Sequence, residues 1–300
     1  MPHHFVIADV FTATPFGGNQ LAVFPDARGL SDRAMQALTR EFNFAESTFV
    51  LPARDPAHAC RVRIFTPVAE VPFAGHPTIG TAAVLARLGV VETPGGSATI
   101  VLEEGIGPVP VEVHLDDAAV TASFTLERSV ERAATPPRPE DAAAALSLPR
   151  TTVVDAWFAS VGLPFCFVRL TDAETVDRAV LDRAAWSAAF AHAWSPNIFL
   201  FAGDTSGGGK LYARMFAPAL GVAEDAATGS AAATLAGSLA ESSPKWTGEL
   251  AWQIVQGVAM GRPSLIEASA DKQDGRVIRI RVGGTTVMVG DGHMTIPDGY

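Results

Sequence analysis

Residues 63–83 read R-I-F-T-P-V-A-E-V-P-F-A-G-H-P-T-I-G-T-A-A, and residues 214–232 read R-M-F-A-P-A-L-G-V-A-E-D-A-A-T-G-S-A-A. Both open with Arg, an apolar residue, Phe, a small residue and Pro (Arg63 to Pro67, Arg214 to Pro218). Both close with Gly, a small hydroxyl residue and two alanines (Gly80 to Ala83, Gly229 to Ala232). The copies lie half a chain apart, which predicts two similar domains in a chain of 300 residues. Each copy reads as a strand, a Pro turn, a loop of small residues and a helix start. Two such helix N-termini facing one cleft would make a site for a small anion, because their unpaired amides and dipoles carry partial positive charge.

Outward from the repeat, the first half reads as alternating strands and helices. Phe5 to Phe11 and Gln20 to Phe24 form a hairpin around the turn Pro15 to Asn19. Ser31 is placed to cap a helix over Asp32–Phe42, with Ala34, Leu38 and Phe42 on one face. Ser47 to Pro52 and Arg61 to Thr66 are strands. Pro77 suits the first position of a helix that Gly89 ends, and Thr99 to Leu102 and Val109 to Leu115 are strands.

Residues 129–149, rich in Ala, Pro and charge, read as a linker with a short helix over Pro139–Leu146. In the second half, strands are expected at Val153 to Val161, Phe165 to Leu170, Asn197 to Ala202 and Lys210 to Phe216, with a mainly helical region over Thr175–Ala189. A helix over Gly229–Ala240 follows. Further strands are expected at Trp252 to Gln256, Ser264 to Ala270, Val277 to Val282 and Thr285 to Gly290. Many strands and one long helix per half predict an α+β fold, a curved, mostly antiparallel sheet wrapped around a central helix, twice.

Hydrophobic residues make up 48% of the chain and charged residues 18%, the balance of a globular protein. The net charge of −10 argues against nucleic acid and anionic membrane as partners. No apolar run reaches membrane-spanning length, and the start of the chain lacks the basic and apolar regions of a signal peptide. The two cysteines, Cys60 and Cys166, make neither a disulfide framework nor a metal quartet, and both read as buried structural thiols. Cytoplasmic residence is the expectation.

Three segments could carry chemistry. In Phe73-Ala74-Gly75-His76-Pro77-Thr78, Gly75 permits close backbone approach to a ligand, and His76 can hydrogen-bond or transfer a proton; the alternative is a capping histidine. In Glu224-Asp225-Ala226-Ala227-Thr228-Gly229-Ser230, amides near Gly229 and Ser230 could cradle a carboxylate while Asp225 binds an amine or hydroxyl; the alternative is acidic residues serving the helix dipole. In Asn43 to Phe49, Glu46 lies between apolar stretches where burial would tune it as a base, or else is an exposed turn residue. Nucleotide, metal and nucleophile motifs are absent from the sequence, and Gly207-Gly208-Gly209-Lys210 reads as a hairpin loop. Together the three segments suggest a proton-transfer site without metal or cofactor.

At these residues the chain resembles the PhzF family of phenazine-biosynthesis isomerases, which shares the diaminopimelate epimerase fold. The likeness runs through Gly18-Asn19 with Ala22-Val23-Phe24, Phe44 to Val50, Arg63 to Pro67, Pro72 to Pro77, Glu224 to Ala232, Gln256-Gly257 and Gly261 to Leu265. It implies that Glu46 shuttles a proton between two ring carbons and that His76 and Asp225 hold the substrate and move protons. Gly75, Thr228, Gly229 and Ser230 would line the substrate subsite. The implied reaction is a cofactor-free isomerisation of trans-2,3-dihydro-3-hydroxyanthranilate by a homodimer. Gln20 stands where Pro often follows Gly-Asn, and Ala45 where Ser or Thr often precedes the glutamate. Neither loop holds the cysteine of the epimerases, which argues against thiol racemisation.

The resulting expectation is an N-terminal domain of residues 1–126 plus 286–300 and a C-terminal domain of 127–285, with the site in the cleft between them. The alternatives are an epimerase or racemase of another small carboxylate, or a catalytically silent ligand-binding protein.

Overall fold

A computed structural model describes residues 2–116 and 119–296. Residues 297–300, the end of the expected segment 286–300, lie outside the described residues. The chain divides into a first unit, Met1–Thr125 with Gly283–Tyr300, and a second, Leu126–Val282.

The first unit begins with β1 (Pro2–Val10) and β2 (Asn19–Phe24), then α1 (Asp32–Phe42), β3 (Glu46–Leu51), β4 (Cys60–Phe65), β5 (Glu70–Val71), α2 (Gly75–Arg87), β6 (Ser97–Glu104), β7 (Gly107–Leu115) and β8 (Val120–Leu126). The second holds β9 (Glu131–Arg132), α3 (Pro139–Ala145), β10 (Val153–Ser160), β11 (Pro164–Leu170), α4 (Ala173–Arg178), α5 (Arg183–Ala189), β12 (Ile198–Gly203), β13 (Lys210–Ala217), β14 (Val222–Asp225), α6 (Gly229–Ser242), β15 (Gly248–Gln256) and β16 (Ser264–Gln273). Strand β17 (Arg276–Thr295) brings the chain back to the first unit, where it pairs with β1.

The strand pairings repeat. β1–β2 is antiparallel, β2–β3 parallel, β3–β4 and β4–β5 antiparallel, β4–β6 parallel and β6–β7 antiparallel. The series β10–β11, β11–β12, β12–β13, β13–β14, β13–β15 and β15–β16 runs through the same senses in the same order. The mixed but mainly antiparallel sheets with one long helix each bear out the α+β reading.

That helix is apolar on every side, as a helix surrounded by sheet must be. Every residue of α2 from Gly75 to Ala86 is buried, and α6 buries ten of its residues, half of them alanines. A Cβ added at Gly80 would lie 2.6 Å from side-chain atoms of both Leu21 and Val10, so α2 sits against β1 and β2 at a distance only glycine allows. Shorter helices cover the other faces. On α1, Ser31 Oγ accepts from the Ala34 amide at 3.1 Å, and Met35 and Leu38 pack on Phe24, Phe49 and Phe65.

The repeated Arg-x-Phe motif is structural. Arg63 grips Glu70 with two nitrogens at 2.8 and 2.6 Å, and Arg214 grips Glu224 at 2.8 and 2.9 Å. Each guanidinium also lies over the phenyl ring two residues on, Phe65 at 5.0 Å and Phe216 at 4.9 Å. Arg214 further donates to the carbonyls of Val176, Asp177 and Ala179. Glu224 therefore belongs to a brace, and Arg214→Met would strand its carboxylate in a mostly buried place. The expected cost is about 3 kcal/mol in urea unfolding, since breaking one partner of a buried pair leaves an uncompensated charge; a cost near zero would mean that Glu224 reaches water.

Three expectations need correction. Residues 129–149 are not a linker: β9 pairs with β10, and Ala142, Ala143, Ala145 and Leu146 are in the second unit's core. The stretch resembles a spacer in composition, but its run from Ala142 to Leu146 has no polar side chain to keep it in water. Helix α2 starts at Gly75, so Pro77 is its third residue and Gly80, set opposite Gly229 in the sequence repeat, is mid-helix. The helix starts correspond as Gly75 with Gly229 and His76 with Ser230. Finally, the two strands expected at 277–282 and 285–290 are one strand, β17. Gly283 makes no turn; a Cβ there would come within 2.7 Å of Ser123 Cβ.

Candidate active site

In the first unit, three elements bring Asn19, Glu46 and His76 together. Asn19 opens β2 and Glu46 opens β3. The parallel pairing sets Leu21 beside Glu46, so Asn19, two residues earlier and on the same face, stands at the same end of the sheet. His76 is the second residue of α2 and is 3% exposed. Its Nδ1 lies 3.2 Å from Asn19 Nδ2, and its Nε2 lies 3.5 Å from Glu46 Oε2. Burial pulls the imidazole pKa down to about 3, against a smaller opposing effect of a hydrogen bond with the Gln20 backbone. His76 is therefore uncharged at neutral pH.

In the second unit, Asp225 ends β14 three residues before α6 begins. Thr228 Oγ1 donates to Asp225 Oδ2 at 2.6 Å. The wholly buried Gln256 ties this turn together: its Nε2 donates to the Asp225 carbonyl at 2.8 Å and to Thr228 Oγ1 at 3.0 Å, while its Oε1 accepts from the Thr228 amide at 3.2 Å. The Thr228 hydroxyl is thus engaged in holding Asp225.

The helix starts share an unusual property. Ser31, Asp172 and Asp182 cap α1, α4 and α5 with side-chain oxygens. Ala74 and Thr228 give α2 and α6 no such bond, and neither helix has an acidic residue in its first turn. The amide ends at Gly75–His76 and Gly229–Ser230 thus carry no side-chain cap and no acid in the first turn, a condition that suits receiving an anion.

A second carboxyl under the start of α2 has no counterpart in the sequence expectations. Thr78 Oγ1 lies 2.8 Å from both the Ala74 carbonyl and Glu104 Oε1. The hydroxyl donates to both, sharing its one proton between two acceptors. Burial raises the Glu104 pKa to about 8, against the lowering effect of the Thr78 hydrogen bond. Burial likewise pushes the Cys60 thiol up to about 12 and raises Cys166, leaving both inert. Among the described residues no group of three or more His, Cys, Asp or Glu side chains is arranged to hold a metal ion. No helix among them is long and apolar enough to cross a membrane.

Each sequence-derived site residue thus falls in one of two clusters: Glu46, Gly75 and His76 in the first unit, Asp225, Thr228, Gly229 and Ser230 in the second. Asn19, Gln256 and Glu104 were not assigned roles. The first two stand in the quoted Gly18-Asn19 and Gln256-Gly257 pairs, a signal that lacked only geometry; Glu104, in a run of strand residues, gave none.

A family model described as phenazine biosynthesis-like protein, PhzC-PhzF, matches residues 8–292. An uncharacterized isomerase of Mesorhizobium japonicum is 38% identical, over 98% of this chain and 99% of that protein. The trans-2,3-dihydro-3-hydroxyanthranilate isomerase of Pseudomonas chlororaphis is 36% identical, over 98% of this chain and all of that protein. A PhzF-family phenazine biosynthesis protein of Bacillus anthracis superposes with a TM-score of 0.84 at 21% identity, covering 99% of this chain and 100% of the other, a likeness of fold. The chain belongs to the PhzC-PhzF, phenazine biosynthesis-like, family.

Proposed function

We propose that this isomerase carries a proton between two carbons of a small cyclic amino carboxylate, and that Glu46 takes the proton and returns it. The observation that carries the reading is the 3.5 Å approach of Glu46 Oε2 to Nε2 of a buried, uncharged His76. A carboxylate lifts the proton from one carbon, the electron pair moves through the adjoining double bond, and the same carboxyl returns the proton at the far end. Protons and electrons balance, so the step calls for no cofactor. His76 contributes a hydrogen bond without positive charge. Asp225 is assigned to the substrate's amine or hydroxyl, with Thr228 holding it. Gly75, Gly229 and Ser230, at the uncapped helix ends, are assigned to the carboxylate.

The name of the Pseudomonas chlororaphis relative supports trans-2,3-dihydro-3-hydroxyanthranilate as the substrate. The net charge of −10 supports a small molecule rather than nucleic acid as partner. Two free buried thiols suit the reducing cytoplasm. The family resemblance supports a homodimer, for which sedimentation would read twice the 31.4 kDa of one chain.

Proton NMR of that substrate with the protein in D₂O tests the reaction. The expected result is a shifted double bond, with the migrating position carrying either the original proton or solvent deuterium. An unchanged substrate overturns the substrate assignment. Deuterium at a stereocentre with loss of optical rotation and no bond shift makes the protein an epimerase instead.

A further inference from the structure

We propose that Asn19 is a positioning residue: its side-chain amide decides which nitrogen of His76 carries the proton and holds that nitrogen toward Glu46. The inference rests on the reading of Glu46 as the acid/base.

Two contacts fix the argument. Asn19 presents Nδ2, a donor with no lone pair to offer, to His76 Nδ1 at 3.2 Å. Nδ1 must then be the bare nitrogen, and the proton sits on Nε2. Nε2 is also the nitrogen 3.5 Å from Glu46 Oε2, where a carboxylate requires a donor. Against this arrangement works the Gln20 backbone, whose hydrogen bond with the ring favours the protonated imidazole. A carbonyl there would draw the proton to Nδ1 and turn the Nε2 lone pair on Glu46, a repulsive pairing. In the proposal the Asn19 amide outweighs it.

The framework suits a positioning role. Asn19 is 4% exposed and its backbone is paired with Val10 across the hairpin. Gly18 before it takes φ +63°, and a Cβ there would lie 2.4 Å from the Val10 carbonyl oxygen, so the turn that delivers Asn19 has little freedom. His76 cannot leave the contact by charging, because burial keeps it neutral. With charge excluded, the tautomer is the one state of the ring left to control, and second partners of this kind commonly fix it.

The test is ¹⁵N NMR of histidine-labelled full-length protein, with the His76 signals identified by their loss in His76→Asn. In wild type Nε2 is expected protonated and Nδ1 bare at pH 7; a protonated Nδ1 overturns the proposal whatever the activity. In Asn19→Ala the proton is expected on Nδ1, and Asn19→Asp, whose carboxylate can only accept, is expected to do the same. Both should keep near-wild-type melting, with kcat lowered roughly 10–100-fold and KM little changed. A variant that keeps the wild-type nitrogen pattern and turnover overturns the proposal, and if neither variant folds the wild-type spectrum decides it. Should wild type fail to convert the dihydro substrate, the reading of the reaction fails while the nitrogen spectra still judge Asn19.

Discussion

Glu46→Gln is expected to lower kcat by roughly 10²–10⁴-fold, the contribution of a positioned acid/base, while the protein stays folded. Glutamine has the same shape and keeps an oxygen facing His76, so packing around the first residue of β3 should survive. It cannot take a proton from carbon. β3 is held by its backbone pairing with β2 and β4 and by Phe49 in the core, none of which involves the Glu46 side chain. Urea unfolding should therefore match wild type closely. Because the lost interaction belongs to the transition state, kcat and kcat/KM should fall together with KM nearly constant. Single-turnover measurement of bond migration by wild type and variant provides the check. A variant retaining more than roughly a tenth of wild-type kcat would remove Glu46 from the chemistry, since a loss that small lies below the range of a lost acid/base.

The fold was legible where local chemistry and packing agree. Ser31 and the spaced apolar residues after it define α1 because cap and buried face are both written within one helix. The repeated Arg-x-Phe-x-Pro announces the duplicated strand order because each arginine braces its own turn against a glutamate. The reading failed where a residue's reason lies far along the chain. Gly80, paired with Gly229 in the sequence repeat, and Gly283, in the gap between two expected strands, are each glycine because a distant strand passes within about one side chain's reach. The start of α2 was misplaced because Ala74 gives it no side-chain cap to mark it. Glu46, His76 and Asp225 were legible as residue types suited to proton transfer. The groups behind them, Asn19, Gln256 and Glu104, act through hydrogen bonds that cross 57, 28 and 26 residues of sequence and have no local pattern.

Glu104→Gln is expected to change the pH dependence of stability by several kcal/mol. Burial raises this carboxyl from 4.5 to about 8, so the folded protein holds a proton that the unfolded chain has released across that window. A group whose folded pKa is raised contributes stability fully below its unfolded pKa and loses it as pH rises through the folded one. Each pH unit between about 4.5 and about 8 should thus cost about 1.4 kcal/mol, on the order of 5 kcal/mol in all. His76 acts with the opposite sign. Its folded pKa is depressed from 6.5 to about 3, so its contribution is complete above 6.5 and disappears as pH falls toward about 3. Between 4.5 and 6.5 the two slopes oppose and nearly cancel; above 6.5 Glu104 acts alone. Glutamine fills the same space, keeps an oxygen to accept from Thr78 and does not titrate. The variant should therefore match wild type near pH 4.5 and exceed it by several kcal/mol at pH 8, with the gap widening steadily between. Urea midpoints and slopes measured for both proteins at half-unit pH steps give the comparison. Parallel curves across that range would mean that Glu104 is ionised in the folded protein.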